Sequence, residues 1–200
     1  MKRLSMLTAA CVALLAFQAC NDGSSPDAIK SANESNEVKM DSAKHSDSGT
    51  AMTTPVSEAD SKFAVKAASG GMMEVQLGEL AQQKAMNQRV KDFGAMMVRD
   101  HTKANDELKS LAGMKNITLP PAPGEDHMDQ IKKLSGKSGK EFDKDYVKMM
   151  VDDHEKDIKE FEDIANNGND ADVKAFASKT LPTLRMHLDS IKAIRDAMKK

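Results

Sequence analysis

Phe93-Gly94-Ala95-Met96-Met97-Val98-Arg99-Asp100-His101-Thr102-Lys103 and Tyr146-Val147-Lys148-Met149-Met150-Val151-Asp152-Asp153-His154-Glu155-Lys156 are two versions of one segment. Both carry Met-Met-Val-x-Asp-His-x-Lys, and the register continues to Glu107 over Glu160 and Ala112 over Ala165. On an α-helix each residue advances about 100°. Measured from Met97, His101, Leu108 and Ala104 fall at about +40°, +20° and −20°, with Asp100 on the stripe's edge at about −60°. Measured from Met150, His154, Phe161 and Asp157 fall at about +40°, +20° and −20°. Two amphipathic helices therefore each turn a histidine inward. The second adds Asp157 where a hydrophobe is expected, and a buried charge needs a partner or a metal.

The same period extends in both directions. It predicts long helices over about 58–84, 87–112, 139–166 and 170–198. Ser57 and Asp170 are oxygen-bearing N-caps for the first and fourth, and Gly113 is a stop signal for the second. A fainter match joins the outer two helices, with Phe63-Ala64 over Phe176-Ala177 and Met73-Glu74 over Met186-His187. Gly70, Gly71 and Gly78 sit inside the first helix, where they permit close approach of a neighbour. Pro182 inside the fourth is expected to kink it. The longest interruption, 114–137, contains Leu119-Pro120-Pro121-Ala122-Pro123-Gly124 and a short helix near 126–134. Two tight hairpins joined by one long connection describe an all-α four-helix bundle over 58–200.

Composition agrees with that class. Of 200 residues 4% are aromatic and 30% charged, with no Trp, too poor in strand formers and turn signals for a sandwich or barrel. The formal net charge of −2 gives no electrostatic footprint for nucleic acid.

The first residues read as an address. Met1-Lys2-Arg3 is a basic n-region and Leu4 to Phe17 an uncharged apolar run, too short to span a bilayer. Ala19-Cys20 closes it in the manner of a lipobox. This predicts a lipoprotein signal peptide over 1–19 and lipidation of Cys20, hence attachment to a membrane of the bacterial cell envelope, the outer membrane facing the periplasm. Cys11 leaves with the leader, so no disulfide and no Cys-based zinc site remains. Residues 20–57 are rich in Ser, Asp, Asn and Lys and poor in large apolar residues, which predicts a disordered tether. His45 there reads as a solvated side chain.

Taken together, Glu74-Val75-Gln76-Leu77-Gly78-Glu79-Leu80-Ala81, the two Met-Val-x-Asp-His segments, Phe142-Asp143-x-x-Tyr146 and Thr180-Leu181-Pro182-Thr183-Leu184-x-x-His187 resemble the bacterial envelope family known as domain of unknown function 4142. The resemblance spans about 60–198. It implies a ferritin-like four-helix bundle and no activity.

The ferritin-like fold invites a di-iron expectation, but that chemistry uses Glu-x-x-His on two helices. Val98, Val151 and Leu184 stand three residues before His101, His154 and His187, so the pattern is missing. Another metal site remains open. Glu74, His101, His154, Asp157 and His187 all lie near mid-helix, and imidazole with carboxylate suits Zn, Ni, Cu or Fe. The competing reading makes the Asp-His pairs, with Asp100 and Asp153, hydrogen-bonded polar layers that fix the register of the bundle. Met72-Met73, Met96-Met97 and Met149-Met150 suit Cu(I) in principle and core filling in general. His127 reads as a loop residue. No Gly-x-Ser-x-Gly elbow and no phosphate-binding glycine loop is present.

The sequence thus leads to a non-enzymatic, lipid-anchored envelope protein serving as an interaction or stress-related module, its protein partner undetermined. The alternative is a periplasmic metal-binding or metal-dependent redox protein that uses the histidines and carboxylates inside the bundle.

Overall fold

A computed structural model describes residues 27–45 and 56–199. The leader and Cys20 lie outside the described residues. Six helices follow in order: α1 Ala28–His45, α2 Glu58–Lys84, α3 Gln88–Met114, α4 Glu125–Ser135, α5 Gly139–Asn167 and α6 Ala171–Met198. No described helix is long and apolar enough to cross a membrane.

Helices α2, α3, α5 and α6 are the four-helix bundle. Three of the four bundle helices begin at an N-cap side chain that accepts from the first turn. Ser57 accepts from the Asp60 N–H, Asn87 from that of Arg89, and Asp170 from those of Asp172 and Val173, relieving orphan donors of the first turn. Helix α3 outruns Gly113 and ends at Lys115, because Asn116 adopts the left-handed conformation (φ 55°). The Ile117 N–H returns to the Ala112 carbonyl and the Asn116 N–H to that of Gly113, a Schellman stop with Asn in the glycine's usual place. Helix α6 continues across Pro182.

Helix α2 packs on α3 at close range. A Cβ at Gly78 would stand 2.6 Å from the Gly94 carbonyl oxygen, and one at Gly94 2.7 Å from that of Gly78. Only paired glycines let the two backbones approach so far. The remaining directions follow from side-chain contacts. The Phe63 and Phe161 rings meet at 4.8 Å near the start of α2 and the end of α5, while Ala85 bridges Gly139 at the opposite ends. Helices α2 and α5 are therefore antiparallel, and α3 and α5 run in the same direction.

That topology requires the chain to travel the whole length of the bundle between α3 and α5. It does so along α2. Ser69 accepts from the Gly124 N–H, and the Lys84 ammonium reaches the Ser135 carbonyl beyond it. Leu134 of α4 is fully buried in the core.

Residues 20–57, expected as a disordered tether, contain a docked helix. Helix α1 lies on the crossing segment. Asn36 accepts from the Thr118 N–H at 2.7 Å and donates to the Thr118 carbonyl at 2.9 Å, and Lys39 donates to the Asn116 carbonyl. At the helix start, Asp27 accepts from the Glu125 N–H. Ala32 and Asn36 are buried. The docking uses backbone groups of a connection that a bundle leaves unpaired, so it needs no broad apolar face.

The core falls into two apolar clusters. One, around Phe63, Leu108, Phe161 and Phe176, lies toward the start of α2. The other, around Met73, Leu77, Phe93, Met97, Phe142, Tyr146 and Met150, lies toward its end. Met73, Met97 and Met150 are fully buried there while Met72, Met96 and Met149 are only partly so, as gap-filling methionines would be. Between the two clusters sits a layer of buried polar side chains.

The hairpin turns are fastened reciprocally. Asp143 of α5 accepts from the Met86 and Asn87 N–H groups of the α2–α3 turn, at 3.0 and 2.9 Å. Asp60 of α2 accepts from the Asn169 and Asp170 N–H groups of the α5–α6 turn, at 3.0 and 2.8 Å. Both aspartates are buried.

Candidate functional site

Each bundle helix sends one residue into the central polar layer: Glu74 from α2, His101 from α3, His154 from α5 and His187 from α6. All four are buried, His154 and His187 completely. His101 and His154 face each other across the bundle with ring centroids 5.9 Å apart, and each lies 5.4 Å from His187. One ring nitrogen of each histidine lies within 4.8 Å of one from each of the others. Phe93 closes the layer on one side, its ring edge-on to both His154 and His187.

The hydrogen bonds fix which nitrogens hold protons. His154 Nδ1 lies 3.0 Å from the Met150 carbonyl, which can only accept, so Nδ1 carries the proton and Nε2 a lone pair. His187 Nε2 lies 2.9 Å from Asp100 Oδ2. Burial tends to raise Asp100, but hydrogen bonds from Arg99 and His187 outweigh it and hold the carboxyl below its ordinary range. Asp100 therefore accepts, and the lone pair of His187 is on Nδ1. His101 Nδ1 lies 2.8 Å from Glu74 Oε2. This third ring is not fixed in the same way, because burial and Asp153 raise the Glu74 carboxyl well above its ordinary range: an ionised Glu74 accepts from Nδ1–H and a protonated one donates to Nδ1, while Nε2 is buried and has no hydrogen-bond partner.

Burial keeps all three imidazoles neutral. It pushes His101 and His187 down to about 4 and His154, further lowered by the other two rings, to about 3. At neutral pH the His101–Glu74 contact is thus a hydrogen bond shared with a neutral ring, not an ion pair. Three neutral imidazoles, each oriented through its second nitrogen by a carboxylate or carbonyl, are the donor set that a transition metal takes.

A second group of ligating atoms lies beside the first. Oxygens of Glu74, Asp153 and Asp157 are within 4.8 Å of one another. Burial raises all three carboxyls, and their mutual repulsion adds to the rise for Glu74 and Asp157; Asp153 stands at about 6. They line a cavity of about 40 Å³ together with His101, Asn105, Lys66, Glu160 and His127.

A family model for a domain of unknown function, DUF4142, matches residues 45–194. The chain belongs to the DUF4142 family. No curated protein matches it. In fold this DUF4142 chain is similar to a DUF305 fragment from Deinococcus radiodurans, whose crystal structure aligns with a TM-score of 0.60 at 11% identity, over 70% of this chain and 97% of that one. At such identity the likeness concerns the fold alone.

The DUF4142 bundle brings together Glu74, His101, His154 and His187 but groups two predicted residues differently. Asp157 does not join the histidines; it faces Glu74 and Asp153. Asp100 pairs with His187 on another helix rather than with its sequence neighbour His101, and Asp153 makes no hydrogen bond to His154. Among the described residues the hydrogen-bonded Asp-His contact thus runs between helices, from Asp100 to His187. His127 is no mere loop residue. It lies in α4, half-buried, with Nδ1 2.6 Å from the Ser69 hydroxyl. Its position depends on the path of the crossing segment, which no local pattern encodes. Tyr146 is fully buried with a hydroxyl that has no partner.

Proposed function

We propose that the bundle is a metal-binding module in which His101, His154 and His187 hold one transition-metal ion. The observation that carries this reading is the opposition of His154 Nε2 and His187 Nδ1 at 3.3 Å. Both are lone-pair nitrogens of neutral rings, and two lone pairs repel unless something positive lies between or beside them. The buried, partnerless Nε2 of His101 is a third ring nitrogen, and it becomes a donor of the same kind when Glu74 gives up its proton, as a cation bound beside it would make it do. Imidazole nitrogen suits Zn, Cu, Ni and Fe, and Glu74, Asp100 and the Met150 carbonyl supply the outer hydrogen bonds that orient such ligands.

A purely structural polar layer is the second reading. The Glu74–His101 and Asp100–His187 bonds fit it. The opposed nitrogens and the orphaned His101 Nε2 do not, because buried polar groups left unmade cost about 1–3 kcal/mol each.

The setting belongs to the same proposal. Supported by the basic n-region, the apolar run and Ala19-Cys20, the reading is of a chain lipidated at Cys20 and held on the periplasmic side of the outer membrane. Intact-mass analysis of membrane-extracted protein tests the anchor, with acyl additions on Cys20 as the expected result. Elemental analysis of protein purified without an affinity tag tests the site. About one equivalent of a transition metal, lost in His154→Ala, supports it. Metal-free protein that binds neither Zn²⁺ nor Cu²⁺ on addition favours the structural layer.

A further inference from the structure

Glu74, Asp153 and Asp157 present a problem of charge that the three-histidine site does not solve. Their oxygens crowd within 4.8 Å of one another. Among the described residues no Lys or Arg forms an ion pair with any of them. Lys66, which lines the cavity and attracts Asp153 and Asp157 through space, is itself paired with Glu160. Lys156 reaches Asp153 only through space. The remaining charged neighbour, Glu160, adds to the repulsion on Asp157.

A buried oxygen of this set lacks a partner. Glu74 uses Oε2 on His101, while Oε1 has no hydrogen bond in a residue that is 1% exposed. His101, whose Nδ1 meets Glu74, lines the same cavity. His154 Nδ1 lies 3.5 Å from Glu74 Oε1, but its proton goes to the Met150 carbonyl. The cavity of about 40 Å³ has room for a cation with about one or two waters.

We propose that Glu74, Asp153 and Asp157 bind a second divalent cation, of the oxygen-preferring class represented by Mn²⁺, beside the three-histidine site. Three carboxylate oxygens are hard donors and select such ions over the softer metals favoured by imidazole. Glu74 joins the two sites. Oε2 orients His101 toward the first metal and Oε1 ligates the second. The inference rests on the metal-binding reading only through that shared residue, since the carboxylates stand as a donor set by themselves.

The test uses the full-length mature chain, made metal-free, with and without one equivalent of Zn²⁺, and titrated with Mn²⁺. Free Mn²⁺ is counted from its six-line EPR signal. Mn²⁺ forms weaker complexes than Zn²⁺ with a given donor set, so it leaves Zn²⁺ on the histidines. The expected result is one bound Mn²⁺ per chain in both preparations. Asp153→Asn with Asp157→Asn should weaken that binding at least tenfold while Zn²⁺ binding persists, and His154→Ala should lose Zn²⁺ and keep Mn²⁺. Circular dichroism confirms that each variant is folded, and Asp157→Asn alone replaces the double variant should it unfold. Mn²⁺ that stays free in the unaltered protein, or that binds the Asn variants equally well, overturns the proposal. Failure to bind Zn²⁺ alone overturns the three-histidine reading and leaves the Mn²⁺ result to decide this one.

Discussion

His154 Nε2 and His187 Nδ1 stand 3.3 Å apart without a proton to share. The His154 proton is committed to the Met150 carbonyl and the His187 proton to Asp100. A cation that both nitrogens can reach converts this repulsion into two bonds, so metal should stabilise the fold strongly. At a free concentration 100 times Kd a single site adds about 2.7 kcal/mol, or roughly 6–12 °C in a domain of this size. Differential scanning calorimetry with added Zn²⁺ or Cu²⁺ should show that rise in the unaltered chain and none in His154→Ala or His187→Ala. An equal increment in all three would place the metal elsewhere.

In metal-free protein Asp157→Asn should be stabilising, by about 1–3 kcal/mol at pH 7, because it removes one member of a repelling set that is half-buried around the buried Glu74. The sign varies with pH. The folded-state carboxyl of Asp157 is raised by burial and by Glu74 and Asp153, so below an unfolded value of about 3.9 both states are protonated and nothing is lost. As pH climbs from there, the unfolded chain releases its proton first and the native state loses stability relative to it. The advantage of the variant should therefore be small near pH 3.5 and grow toward neutrality in urea melts. A constant advantage would mean that the effect is packing.

Gly78→Ala should destabilise the bundle although alanine is the better helix former. Helix propensity favours Ala by about 1 kcal/mol. The new methyl, 2.6 Å from the Gly94 carbonyl oxygen, forces α2 and α3 apart, and overpacking of this kind costs about 1–3 kcal/mol. Chemical denaturation should give a net loss of up to about 2 kcal/mol, the overpacking cost less the propensity gain. A net gain would show that the hairpin can open there freely.

Asn36→Ala removes both hydrogen bonds to Thr118 and should cost about 1–2 kcal/mol. Hydrogen exchange should show faster loss of amide protection in α1 and around Thr118 than in α5. If α1 were only an appended helix, the protection around Thr118 would not change.

Much of the bundle was legible in the sequence because its rules are local. The helical period, the N-caps Ser57 and Asp170 and the breaks at 85–87 and 168–170 place α2 through α6 within a residue or two. Gly113 misled because Asn116 serves as the left-handed stop two residues beyond the expected end. Helix α1 was missed because its docking is polar. Asn36, Ser35 and Lys39 read as solvated tether until the connection they bind is in place. Of the site, the 100° arithmetic recovers that His101 and His154 point inward. It does not recover that Asp100 reaches His187, or that Asp157 meets Glu74 and not the histidines. Those pairings depend on α3 and α5 running in the same direction, a consequence of the crossing segment.

The reciprocal grip of Asp60 and Asp143 on opposite hairpin turns sets what the centre can do when its occupancy changes. Sliding one hairpin along the other, even by part of the roughly 5.4 Å of one helical turn, breaks four charge-assisted hydrogen bonds at two ends at once. A change of ligation at mid-bundle is therefore met by rotation of imidazole and carboxylate groups in place, and little of it travels to the ends of the rod. Built this way, a bundle that binds metal as proposed would hold the ion at a fixed station rather than announce its arrival by a change of shape.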